Sequence, residues 1–285
     1  MLRAIIPATA LVAGALATLP AHAIDWQDNS LTYTAGNRFT EPANRSPVRK
    51  DILEFVHASG YSHGMNLASV KMLRSDDVDP ARDSKHGATE FYIVYRHLLS
   101  LGKVFDTPLA AGPIRDVALT AGFDWNSKDN RFAPRKRLLV LGPTLRFKIA
   151  PPGFVDVSLL MAKEWNHCGL PPCKAPGNEE NIGFDAYPML HAAWRVPFAL
   201  GGVPVRFEGF FAHAFRRGED YTGRPVGEEF LMRTALMADV GAAAGSTPNR
   251  FFMGVGYELW RNKFGNQNMP GVDTNAPTLH ARWHF

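Results

Sequence analysis

Ten side chains carry most of the chemistry available to this chain: Glu90, Tyr92, Arg96, Asp124, Arg146, Arg206, Glu208, Phe210, Arg233 and Glu258. Each stands on the polar face of a segment whose alternate positions are apolar. Lys148, Asp239 and Phe252 share that face. Carboxylates and guanidinium groups set along one wall can hydrogen-bond a polar solute, and aromatic rings among them can stack on it. Both charge signs occur and neither dominates. A wall built for anions would favour Arg and Lys, and one built for cations would carry an acidic ring. The mixture therefore points to substrate contact with a neutral polar solute that has an aromatic ring. The same charges can also pair with one another to fill an interior, and the aromatics can be packing.

Other chemistries find less support. Cys168 and Cys173, the only two cysteines, sit together as Cys168-Gly169-Leu170-Pro171-Pro172-Cys173. In an exported chain they are expected to form a disulfide that staples one long loop. A redox pair would have two intervening residues, and zinc would need more ligands nearby than His167. Asp76, Asp77, Asp79 and Asp83 could hold a hard cation, but the spacing lacks the acidic twelfth position of an EF-hand, so a solvated acidic loop is expected. The one G-x-S-x-G, Gly60-Tyr61-Ser62-His63-Gly64, spans the tight connection between two strand candidates, and the glycines near 202–209 and 256 precede no helix, so neither the strand-to-helix context of a nucleophile elbow nor a phosphate loop is present. The expectation is a protein without catalysis, metal or cofactor.

What must position the interior set is a series of strands. From residue 30 onward the hydrophobic period is two rather than 3.6. Phe251, Met253, Val255, Tyr257 and Leu259 are apolar, while the residues between them mix glycine, charge and aromatics. The same alternation marks 90–96, 116–125, 139–149, 155–162, 185–196, 205–211 and 230–240, and the last segment is 278–285. Three N-terminal candidates, 30–36, 50–59 and 63–73, alternate less cleanly, and their facing stays open. The total is twelve. Connections after odd-numbered strands are long and polar (76–88, 126–135, 166–183, 216–228). Those after even-numbered strands are tighter (59–60, 151–153, 199–202), with 101–113 an exception. Loops sorted by length onto two rims, with an even strand number, are the signature of an antiparallel outer-membrane β-barrel. Trp125, Trp165 and Trp260 fall at the long-loop rim and Trp194 and Trp283 at the other, as in an interfacial girdle.

The first 23 residues differ from the rest. Arg3, an apolar stretch over 4–19 and Ala21-His22-Ala23 form the three parts of a secretory signal peptide, cleaved after Ala23. Residues 24–285 then make one all-β domain, a closed antiparallel transmembrane barrel. The chain has 285 residues, 20% charged, 46% hydrophobic and 11% aromatic, a composition that excludes disorder. The formal charge is only +4 and no basic stripe with stacking aromatics occurs, which excludes a nucleic-acid binder. Closure leaves no unpaired edge in the bilayer. Twelve strands should enclose a narrow passage, between the filled interior of eight and the aqueous channel of sixteen.

Several segments resemble one family. They are Ile52-Leu53-Glu54-Phe55-Val56-His57-Ala58-Ser59-Gly60-Tyr61, Asn66-Leu67-Ala68-Ser69-Val70-Lys71-Met72-Leu73-Arg74-Ser75-Asp76, Gly87-Ala88-Thr89-Glu90-Phe91-Tyr92-Ile93-Val94-Tyr95-Arg96 and Gly122-Phe123-Asp124-Trp125-Asn126. With the terminal Phe285 they resemble the Tsx-like nucleoside-specific channel-forming porins of Gram-negative outer membranes. The resemblance implies a twelve-stranded barrel that admits nucleosides by facilitated diffusion, without a cofactor. No contact residue is carried over from it. The expected partners are nucleosides or similar small solutes, outer-membrane lipid, and the barrel-insertion machinery acting on Phe285. The competing expectations are an outer-membrane barrel enzyme acting on lipids, a plugged structural or adhesion barrel, and a soluble periplasmic β protein.

Overall fold

The computed structural model describes residues 24–285; the expected signal peptide, 1–23, lies outside the described residues. Thirteen strands follow in order: β1 (Trp26–Phe39), β2 (Val48–Tyr61), β3 (Gly64–Ser75), β4 (Thr89–Ser100), β5 (Ile114–Lys128), β6 (Arg137–Phe147), β7 (Phe154–His167), β8 (Asn181–Gly183), β9 (Tyr187–Leu200), β10 (Val203–Ala214), β11 (Glu229–Asp239), β12 (Phe251–Arg261) and β13 (Thr274–His284). Twelve are staves, in the twelve places marked by alternation. β8 is a three-residue addition that pairs with β7 inside the loop 168–186. Each stave is antiparallel to the next, and β1 pairs with β13, so the sheet closes into a ring.

The pleat sorts residues by face. Phe207, Leu236, Val255 and Leu279 form one cross-strand row on the outside, and each is 40–64% exposed. Leu53, Phe55, Met72, Phe91, Phe123, Leu139, Leu141, Leu159, Met161 and Met253 are likewise exposed. An apolar surface this continuous is stable only against hydrocarbon. The inside carries hydroxyls and charges: Thr120, Thr144 and Ser158 form a chain of buried hydroxyl contacts at 2.5 and 2.7 Å. One inward patch is apolar, formed by Leu138, Val140, Leu160, Ala162, Tyr187 and Met189. At Gly256 a side chain would collide with His280 and Thr278, so the glycine makes room for that histidine.

The two rims differ as the loop pattern requires. The turns 62–63, 148–153 and 201–202 share one rim with both termini, and 40–47, 76–88, 129–136, 168–186, 215–228 and 262–273 share the other. By the convention of such barrels the first rim is periplasmic and the second extracellular. Two longer periplasmic connections begin with a single helical turn, Leu101–Val104 and Val240–Ala243. The second was not foreseen. Asp239 caps it, accepting from Ala242 N at 2.9 Å and from Asn249 N, so this inward aspartate serves the turn rather than the passage.

Trp125, Trp165 and Trp283 occupy outer-face rim positions, and Trp194 packs over the space left by Gly209. Trp260 corrects the expected girdle. It falls on the same face as Glu258, its Nε1 donates to Glu229 Oε1 at 2.8 Å, and the Lys263 amine lies 4.4 Å from its ring centre. With a period of two, one step along a strand exchanges lipid for lumen.

Candidate functional site

The interior has three charged levels, each held by inward positions of different staves. In the outer half, Tyr92 and Arg96 on β4 meet Asp124 on β5: the Tyr92 hydroxyl donates to Asp124 Oδ2 at 2.9 Å, and Arg96 Nη1 lies 2.7 Å from Oδ1. On β9 and β10, His191 and Phe210 are stacked with ring centroids 6.1 Å apart. His191 is within electrostatic reach of Arg96 and Asp124, although β9 is not a neighbour of β4 or β5. Arg233 on β11 donates to Glu258 on β12 at 2.7 Å and reaches electrostatically toward Glu54 and Tyr92 on the far wall. Six expected residues, Tyr92, Arg96, Asp124, Phe210, Arg233 and Glu258, thus line the outer half of the lumen, with electrostatic reach across it between opposite walls. Glu90 stands just above them and accepts from Asn126 Nδ2.

The periplasmic end gathers cations around one carboxylate. Glu208 contacts Arg282, Arg206 at 3.4 Å and Arg195 at 3.5 Å. Arg206 also donates to His284 at 2.8 Å, and its guanidinium carbon is 3.5 Å from the Phe252 ring centre. His284 in turn meets Asp28 at 2.8 Å. Arg146 is apart from this group, paired with Asp156 on β7 at 3.3 Å. Arg206 and Glu208 were expected from alternation; Arg195, Arg282 and His284 were not singled out as site residues, although they lie on the same inward face.

The extracellular end holds a site that strand patterning missed. Glu41, on the loop 40–47, turns inward onto Lys50 of β2, Lys128 of β5 at 3.3 Å and Lys263 of the loop 262–273 at 3.6 Å. Lys128 also pairs with Asp79 at 2.6 Å. Burial would raise the Glu41 carboxyl, but Lys263, Lys50 and Lys128 together hold it well below the usual carboxylate range. Beside this group, burial works against the charge of Lys136, yet Glu164 at 3.5 Å keeps its amine well above the usual value. Loop residues have no period, so no pattern could have placed Glu41 or Lys263 over the passage.

Two smaller expectations resolve here. Cys168 and Cys173 are bonded, and the disulfide packs with Tyr221, Phe132, Leu170 and Ile182. Burial raises the Tyr221 hydroxyl. The acidic loop 76–83 is not simply solvated: Asp79 is buried, accepting from Ser75 Oγ at 2.9 Å and Asn130 Nδ2 at 3.2 Å in addition to its Lys128 pair. Those partners use its oxygens for structure. No cluster of metal-ligating side chains occurs among the described residues.

A closed ring of twelve antiparallel staves, apolar outside and charged or hydroxyl-lined inside, defines a membrane-spanning β-barrel of the outer-membrane type, crossing the bilayer many times by its strands. No protein-family model matches the chain, and no curated protein does. Among solved structures it is similar to an outer membrane channel from Pseudomonas putida F1 (10% identity, 94% of this chain and 97% of that one, TM-score 0.49). It is also similar to the KdgM porin in complex with disordered oligogalacturonate (8% identity, 90% and 99%, TM-score 0.44). A third is the translocator domain of the autotransporter NalP from Neisseria meningitidis (12% identity, 97% and 93%, TM-score 0.45). Likenesses this low carry no argument about function, so the case rests on this chain's own geometry.

Proposed function

We propose that the chain is an outer-membrane channel for passive, selective diffusion of small polar solutes, with nucleosides the preferred class. The observation that carries this is the outer-half lumen. Along it lie a stacked ring pair (His191 and Phe210), a phenol (Tyr92), a guanidinium (Arg96) and a carboxylate (Asp124). A nucleoside offers the complement: an aromatic base to stack and sugar hydroxyls to donate to Asp124 and accept from Arg96. The local pairs neutralise one another, which favours a neutral solute over an ion of either sign. The resemblance of several segments to nucleoside channels supports the same solute. Phe285 lies against Trp283 and Phe55 with ring centroids 5.2 and 6.4 Å apart, and this exposed C-terminal aromatic is the proposed contact for the insertion machinery.

Uptake of radiolabelled adenosine into liposomes holding the refolded barrel tests the proposal. Saturable uptake that falls about tenfold in Phe210→Ala, the loss expected for one stacking contact, supports it; equal, non-saturating uptake of adenosine and a sugar of similar size contradicts it. A plugged barrel has one observation in its favour. Glu41 of the loop 40–47 turns inward and joins Lys50, Lys128 and Lys263 at the outer mouth. Liposomes that admit no solute would select that reading.

A further inference from the structure

The basic run Arg135-Lys136-Arg137 is divided by the pleat at the extracellular rim. Lys136 turns inward to Glu164, whereas Arg135 and Arg137 are exposed on the outer surface. Arg137 opens β6 and sits between Trp125 of β5 and Trp165 of β7. Its guanidinium carbon is 4.7 Å from the Trp125 ring centre, and its Nη1 donates to the carbonyls of Asn126 and Lys136 at 3.1 and 2.8 Å. Trp165 is paired with Gly183 of β8, where the missing side chain leaves space against the indole. The result is a hollow of about 290 Å³ lined chiefly by Arg135, Arg137, Trp165, Asn166, His167 and Asn181. Lys163, one outward position nearer the membrane centre, places its amine 5.8 Å from the Trp165 ring centre and donates to the Phe184 carbonyl.

The charge of this hollow is uncompensated. No carboxylate lines it, Arg135 and Arg137 repel one another, and among the described residues neither forms an ion pair. Two guanidinium groups held together at a membrane boundary are costly unless an anion meets them, and phosphate matches the guanidinium fork. The flanking tryptophans fix the depth, because such rings sit where headgroups give way to acyl chains. A basic pocket at that depth is the arrangement that recognises anionic lipid headgroups.

We propose that this hollow binds the phosphorylated headgroup of an outer-leaflet lipid, with Arg135 and Arg137 on the phosphate oxygens and Trp125 and Trp165 against the start of the acyl chains. The proposal rests on the membrane-spanning fold and is independent of which solute the lumen passes.

The test is native mass spectrometry of refolded full-length protein in detergent. The protein is titrated separately with lipid A carrying its phosphates, with dephosphorylated lipid A, and with inorganic phosphate. The expected result is saturable retention of the phosphorylated lipid, about thirtyfold tighter than the stripped form, as two arginines facing a charged headgroup imply. The double variant Arg135→Ala/Arg137→Ala should lose that advantage while keeping the wild-type conductance in a planar bilayer. Should that variant fail to fold, Arg135→Lys/Arg137→Lys keeps the charge without the fork and should bind with intermediate strength. Equal retention of phosphorylated and stripped lipid overturns the proposal, as does inorganic phosphate binding as tightly as the lipid. A chain that stays in solution without detergent overturns the membrane-spanning reading beneath it.

Discussion

The two ends of the lumen solve the same electrostatic problem with different parts. At the periplasmic end Glu208 holds Arg195, Arg206 and Arg282; at the extracellular end Glu41 holds Lys50, Lys128 and Lys263. One carboxylate among three cations appears in both. At the inner end all four residues sit on staves, so the ladder of β9, β10 and β13 fixes them. At the outer end the carboxylate and one lysine belong to the loops 40–47 and 262–273. The cations also differ. Arginine forks bridge to further groups, as Arg206 does to His284 and Phe252, whereas each lysine is a point charge that can let go singly. Within the inner cluster Arg195 Nε and Arg206 Nε meet the same Glu208 Oε2, at 3.5 and 3.4 Å, as ion pairs without hydrogen-bond geometry. We therefore expect a fixed constriction at the inner end, where the strand ladder holds every member, and a latch at the outer end, where two loops supply the carboxylate and one lysine.

The largest effect should come from breaking the inner cluster. Glu208→Gln strands three arginines that cannot retreat, because their backbone is in the ladder. The expected loss is about 3–5 kcal/mol, the range for removing one partner of a buried ion pair, read from urea unfolding of the barrel in lipid. The reversal potential in a salt gradient should move toward anion selectivity. An unchanged selectivity would break the claim that Glu208 sets the field at this end.

Glu41→Gln should cost less, about 1–3 kcal/mol, because the loops can move and give their lysines to water. Its clearer readout is a larger single-channel conductance as the outer mouth opens. A loss as large as that of Glu208→Gln would erase the contrast between latch and constriction.

The smallest effect is that of mild acid. The folded Glu41 carboxyl is held below its ordinary value of 4.5, so its contribution is fully present above that value. It begins to fade as the pH falls below about 4.5 and is lost only as the pH passes through the depressed folded value. Conductance at the outer mouth should therefore be flat between about pH 7 and 5 in wild type, where Glu41 stays ionised. A mouth that opens within that interval would show that Glu41 is not the latch.

The staves were readable because a barrel imposes one rule everywhere, apolar outward and polar or small inward. Segments such as 251–260 obey it in nearly every residue. The same rule placed Arg206, Glu208, Arg233 and Glu258 on the inner wall. It was weaker in β2 and β3, where Glu54 and Lys71 face inward and pair at 3.2 Å but polar His57 and Ser59 on the outer face and apolar Ile52 and Leu73 on the inner one blur the contrast between faces. Partners were not readable at all. That Arg233 meets Glu258, or that Glu41 crosses to Lys128, depends on closure and on loop paths. Trp260 shows the limit from the other side: a tryptophan near a strand end fits a girdle by type, and only its parity assigns it to the lumen.

The central claim is a selective passage through the outer-half lumen, and single-channel conductance of the refolded barrel in a planar bilayer, with adenosine titrated in, tests it most directly. The account predicts stable small openings that adenosine blocks saturably and glucose does not, with the block weakened in Phe210→Ala. Openings indifferent to adenosine would contradict it.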